Sequence, residues 1–393
     1  MVACGACRGT QFAPFFQARE WTQSGRYLAS AQSAISAEPI KLLTEYCRQC
    51  GLIRQVPGAE VRLDYTGISR DTAKQLPDYA HRVIASMAEL GVGADDLVVE
   101  IGANDGTFLR AMREAGYKNL IGVEPSKDLA VRAAGSGFTI MNEYFGRSLA
   151  SRMVSQYGAP RAIICRHTLE HVPDIQDMTE GMAALLAPQG VAFIEVPDTD
   201  WVISELFAHE IWDEHVTYFR SGSLVTLLQN SGLVPLRMER ARFRDTRNLL
   251  AWSVRAPASA DTPPALLDDI TTAADLADFQ ARWDRFAANL RAAVAAAPRP
   301  LVAVGAAHIQ LNFLNYTGLD GDVDMLVDDD PVKAGHYAPL AFAVPIRTTT
   351  QVLETVRAGT VLRTAFPYPG WEDRICSALA PYGVDSIKPY NFK

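Results

Sequence analysis

Four of the six cysteines fall into two C-x-x-C pairs, Cys4/Cys7 and Cys47/Cys50. Two such knuckles can present four thiolates from separate turns, which is the donor set of a tetrahedral structural zinc site. A site with all four positions filled by protein has no room for substrate, so this metal would hold the fold and take no part in chemistry. The other readings are a redox dithiol and a coincidence of cysteines. The flanks do not show the strand followed by a helix start expected of a redox pair.

A second group of residues lies in Val98–Gly106 (VVEIGANDG), an apolar run ending in Glu100 and followed by Gly102 and Gly106. Glycines at those places let the chain turn tightly beside a bound nucleoside. Asn104 stands where a dinucleotide-binding turn would have its second glycine, which disfavours nicotinamide cofactors. The next apolar run closes in Gly122-Val-Glu-Pro125, so Glu124 follows the turn by about 20 positions, where a carboxylate accepts hydrogen bonds from ribose hydroxyls. The bland reading is a capping turn with a solvated glutamate.

The third group is the polar cluster Ala208-His-Glu-Ile-Trp-Asp-Glu-His-Val-Thr-Tyr-Phe219. His215 is its best general base, because an imidazole titrates near neutrality. Glu214 could orient it or bind a substrate hydroxyl. Alternatively both pack beneath a helix start and satisfy backbone groups. His167 and His171 flank the stretch after RAIICRH, and four residues apart they would share a helical face. An H-x-x-x-H pair can bind metal, but Glu170 beside His171 is not the metalloprotease arrangement. A cofactor contact is expected for His167 and a structural role for His171.

These groups need elements to place them. LVVEIG, LIGVEP, FTIMN, RAIICRH and VAFIEVP alternate with helical stretches such as Thr107–Ala115 and Lys127–Ala134. That rhythm predicts a doubly wound, mainly parallel α/β sheet with ligands at the carboxyl ends of its strands. A helix is expected over roughly Asp71 to Leu90. The run APASADTPPALLDD breaks the pattern, a long helix follows to about Ala297, and RPLVAVGAAH, VDMLVDDDP and TVLRTAFPYP predict a second, smaller Rossmann-like α/β domain. The expected organisation is a zinc module over 1–60, a central domain over 61–256, a linker and helix over 257–298, and a C-terminal domain over 299–393.

Bulk composition agrees with a multidomain globular chain of 393 residues, 48% hydrophobic and 21% charged. A net charge of −8 without basic runs argues against a nucleic-acid partner. No stretch of about 18 apolar residues could span a membrane, and MVACGACRGT lacks the pattern of a leader. The expectation is a cytoplasmic protein acting on small molecules.

With the paired cysteines, the E-I-x-x-N-D-G turn and the C-terminal α/β block in this order, the chain resembles class I S-adenosyl-L-methionine-dependent methyltransferases of the family that includes deoxysugar C-methyltransferases. That resemblance implies that Glu100, Gly102, Asn104, Gly106, Glu124 and Phe145 hold the cofactor, with Phe145, in Asn142-Glu-Tyr-Phe145, near adenine. It implies a small, nucleotide-activated sugar as substrate, with the C-terminal domain helping to bind it. The family's Tyr-His-Glu-His segment corresponds to Trp212-Asp-Glu-His215, so Glu214 and His215 match while Trp212 and Asp213 depart. Tyr65 stands near the family's other active-site tyrosine, and His308 replaces an expected lysine. Tryptophan is neither acid nor base, so deprotonation falls to His215 or another group. Other readings are an O-methyltransferase, a zinc-stapled scaffold without catalysis, and an NAD(P)-dependent oxidoreductase.

Overall fold

The computed structural model describes residues 2–19, 27–35, 40–58, 76, 79–243, 246–256, 267–339, 343–364 and 370–392. Three sheets organise them.

The first is antiparallel and holds β1 (Phe12–Gln17), β2 (Leu43–Cys47) and β3 (Ile53–Gln55). The C-x-x-C pairs lie at its rim. Its fourth strand comes from far downstream: β9 (Thr217–Tyr218) pairs with β3 through Ile53 and Tyr218.

The central sheet is built around β4 (Leu97–Ile101), β5 (Asn119–Val123), β6 (Thr139–Met141), β7 (Ala162–Arg166) and β8 (Val191–Pro197), all parallel. The five are the apolar runs expected from the sequence. β4, β7 and β8 are buried on both faces, whereas β6 at the edge is only half-buried. β10 (Leu233–Phe243) and β11 (Thr246–Arg255) close one edge antiparallel. The order β10-β11-β8-β7-β4-β5-β6 makes the chain run outward from β4 to β6 and then return to β7. The crevice of a doubly wound sheet opens where that direction reverses, outside the ends of β4 and β7. This is a doubly wound, Rossmann-like α/β fold.

Helices α1 (Tyr79–Glu89), α2 (Thr107–Glu114) and α3 (Lys127–Gly135) flank the sheet. The 23-residue α4 (Ala273–Ala295) leads to the third sheet. There β12 (Leu301–Val304) lies between parallel neighbours β13 (Met325–Val327) and β16 (Thr360–Leu362), and α5 (His308–Thr317) follows the glycine turn after β12. The outer strands are β14 (Tyr337–Pro339), β15 (Ala343–Arg347) and β17 (Asp385–Ile387).

The three sheets share cores. Phe16 of β1 packs edge-on against Phe279 and Trp283 of α4 and lies 5.5 Å from the Tyr316 ring of α5. Cys4 and Cys47 join Ile175, Leu224 and Phe219 in a second cluster. The cysteine-bearing sheet is thus wedged against both α/β sheets. Among the described residues no helix is long and apolar enough to cross a membrane.

Candidate active site

At the end of β4 the backbone turns through Gly102, at φ +77°. A Cβ there would lie 2.0 Å from Thr168 Oγ1, so only glycine fits. Asn104 follows, also left-handed at φ +50°. Its backbone N–H donates to Glu124 Oε2 at 2.8 Å, and the Ser126 N–H donates to Glu124 Oε1 at 2.8 Å. Each carboxylate oxygen keeps a further lone pair. Burial raises the Glu124 carboxyl above its ordinary value, against the pull of those two amides. Gly106, at φ +79°, begins α2. Asn142 Nδ2 donates to Glu124 O at 2.8 Å, and half-buried Phe145 packs against the core beside it. Glu100 is buried, its Oε2 accepts no hydrogen bond among the described residues, and burial pushes its carboxyl up to about 8 although Arg166 opposes the rise.

Along the crevice lies a network that sequence reasoning missed. Fully buried Glu195, on β8, accepts from Arg166 Nε at 2.6 Å, Asn248 Nδ2 at 3.0 Å, His167 Nε2 at 3.1 Å and the Tyr79 hydroxyl. Burial alone would raise the Glu195 carboxyl, yet Arg166 and His167 together hold it well below the usual range. Desolvation works against charge on His167, but Glu195 and Glu170 outweigh it and push the imidazole up to about 10. Arg166 and Glu195 could have been found as charged residues at strand ends. Tyr79, from α1, and Asn248, from an antiparallel strand, carry no such signal.

The stretch after β7 departs from the helical face expected to carry both histidines. It is a single 3-10 turn, Leu169–His171, entered through His167 at φ +46°. His167 therefore reaches Glu195, while His171 Nδ1 donates to Glu214 O at 2.8 Å and its ring meets that of His215 with centroids 4.8 Å apart. His171 joins the polar cluster.

The 208–219 segment is held from every side. Gln55 Nε2 of β3 donates to the carbonyls of Asp213 and His215 at 3.0 and 3.1 Å. Val216 N–H donates to Glu170 O at 2.8 Å, and the Tyr316 hydroxyl of α5 donates to Ile211 O at 2.8 Å. Trp212 lies with its ring 5.0 Å from His215 on one side and stacks on His308 on the other. Asp213, Glu214 and His215 are all buried. Tyr65 lies outside the described residues.

The four cysteines converge, with Cys4 Sγ 3.6 Å from Cys50 Sγ and Cys7 Sγ 3.5 Å from Cys47 Sγ, all within 4.8 Å of one another. A tetrahedron with Zn–S bonds of about 2.3 Å has edges of about 3.8 Å. No disulfide links them. The donor set and its spacing fit zinc.

Residues 72–237 match a family model described as a methyltransferase domain, and residues 267–362 one described as a C-methyltransferase C-terminal domain. The C-methyltransferase NovU of Streptomyces niveus is 31% identical over 218 residues, 55% of this chain and 51% of that protein. The chain thus spans about half the length of the curated relative it matches. Among solved structures, magnesium protoporphyrin IX methyltransferase of Synechocystis with bound SAM is 17% identical over 45% of this chain and 78% of its own, at a TM-score of 0.35. A SAM-dependent methyltransferase of Anabaena variabilis is 15% identical over 46% and 88%, at 0.37. At those scores the fold rests on the chain's own strand order.

Proposed function

We propose, for a chain that joins a methyltransferase domain to a C-methyltransferase C-terminal domain, transfer of a methyl group from S-adenosyl-L-methionine to a carbon next to a carbonyl in a small, nucleotide-activated sugar-derived ketone. The observation that carries this reading is the short turn 167–171, which touches the cofactor turn at one end, through Thr168 against Gly102, and the candidate base at the other, through His171 against His215. The relative named a C-methyltransferase supports the carbon acceptor.

When bound, the cofactor supplies an electrophilic methyl group on a sulfonium. Gly102, Asn104 and Gly106 leave room for its nucleoside, and Glu124, already fixed by two amides, has lone pairs left for ribose hydroxyls. Phe145 would border adenine, and Glu100, whose Oε2 has no hydrogen-bond partner among the described residues, and His167 would contribute further polar contacts. His215 removes the proton from the acceptor carbon: the C–H bond breaks, the proton moves to the ring nitrogen, and the electron pair stays with the carbon as an enolate; with the cofactor bound, that carbon would take its methyl group as the methyl–sulfur bond breaks and S-adenosylhomocysteine leaves. Glu214 orients His215 or holds an acceptor hydroxyl. Cys4, Cys7, Cys47 and Cys50 hold a structural zinc whose sheet carries Gln55 to the backbone of the base.

Calorimetry checks the cofactor: S-adenosylhomocysteine should bind, and NAD and NADP should not. Mass spectrometry and NMR of reactions with a panel of nucleoside-diphosphate ketosugars check the acceptor, and a new C-methyl signal is expected. An O-methyl signal would replace this chemistry by methylation of a hydroxyl. His215→Ala should lower turnover roughly 100-fold or more with S-adenosylhomocysteine affinity kept. Unchanged turnover would remove His215 from the reaction.

A further inference from the structure

Glu170 is the most unusual buried group near His215. It is 1% exposed, and neither carboxylate oxygen accepts a hydrogen bond among the described residues. Among the described residues its closest ion pair is with His167 Nδ1, 3.4 Å from Oε1. A carboxylate oxygen lies within 4.8 Å of a ring nitrogen of His171 and of His215. The main chain explains why the side chain stays there: the Val216 N–H, one residue after the base, donates to Glu170 O. Holding a desolvated carboxylate without hydrogen bonds is unfavourable, so its retention there asks for a reason.

We infer that Glu170 is a positioning residue, whose buried negative charge holds the His215 imidazolium formed when the acceptor carbon loses its proton, and which ties that step through His167 to Glu195. The inference rests on the reading of His215 as the base. Charge matters here because His215 is buried, so water does little to stabilise a new cation. The groups that face His215 are Glu170 and His171 from the turn after β7, Asp213 and Glu214 from its own segment, Tyr218 from β9, and His308 of α5 beyond Trp212. Glu170 reaches it from another element and is joined to Glu195 by the intervening His167.

Glu170→Gln keeps the shape and removes the charge. Unfolding temperature and S-adenosylhomocysteine affinity should stay close to wild type, which establishes that the variant folds. With the nucleoside-diphosphate ketosugar that turns over in the panel, the acidic limb of the kcat/KM profile should move to lower pH by about one unit or more, and the plateau should fall roughly ten-fold. Glu170→Asp should restore part of both. Exchange of acceptor deuterium into solvent, followed with S-adenosylhomocysteine bound, should slow in parallel. An acidic limb that stays in place, with the rate unchanged or lowered equally at every pH, would overturn the inference. So would a divalent ion found between Glu170, His171 and His215 by anomalous scattering. His215→Ala separates the two claims: retained exchange defeats the base reading, whereas lost exchange with an unmoved limb in Glu170→Gln defeats the role of Glu170 alone.

Discussion

The His308 imidazole stacks on the Trp212 indole with ring centroids 4.2 Å apart and planes 20° apart. His308 opens α5 of the third sheet, and Trp212 touches the candidate base His215. A pair of rings in this arrangement contributes about 0.5–1.5 kcal/mol beyond area burial. His308→Ala should therefore raise the acceptor KM about two- to ten-fold and leave S-adenosylhomocysteine affinity unchanged. Steady-state kinetics beside calorimetry will separate the two.

Gly102→Ala combines two penalties, a left-handed backbone and a Cβ 2.0 Å from Thr168 Oγ1. The first costs on the order of 1–3 kcal/mol. Cofactor affinity should drop by about ten-fold or more, and the unfolding temperature should fall. Adding Thr168→Ala should relieve the clash and recover only part of each loss, because the positive φ remains. Full recovery would mean that the backbone strain is negligible.

Cys47→Ser removes one of four converging thiolates. Native mass spectrometry should show the zinc content falling from one per chain toward zero, and stability should decrease by on the order of several kcal/mol. Turnover should fall as well, since Gln55 on the neighbouring strand holds the carbonyls of Asp213 and His215. Unchanged metal content would contradict the zinc assignment.

The raised affinity of His167 for its proton has a defined sign. Its folded value of about 10 lies above the ordinary 6.5. The stabilisation it brings is complete below pH 6.5 and disappears as pH climbs through 10. Against His167→Gln, the wild type should hold its largest advantage in unfolding temperature below pH 6.5 and lose it progressively up to pH 10. A constant difference across that range would show that the pairing with Glu195 and Glu170 is not felt in the fold.

Local pattern was enough for much of this. The apolar runs that became β4 to β8, the turn from Gly102 to Gly106 and the register of Glu124 all depend on residues close in sequence, whose spacing limits what the backbone can do. The convergence of the two C-x-x-C pairs was decided by the fold, but each pair was legible for the same reason, being local in sequence. The turn after β7 was not. Periodicity put His167 and His171 on one helical face, but tertiary contacts with Glu195 on one side and Glu214 on the other drew out a left-handed residue and a 3-10 turn. Tyr79 meets Glu195 across 116 positions, β9 joins a sheet begun near the N-terminus, and His308 finds Trp212 from another domain. The sequence by itself determined which backbone turns and strands could form, because those follow from short-range sterics and alternation. Only the tertiary structure decided which side chains share a site, because that depends on strand order and on three sheets closing around one segment.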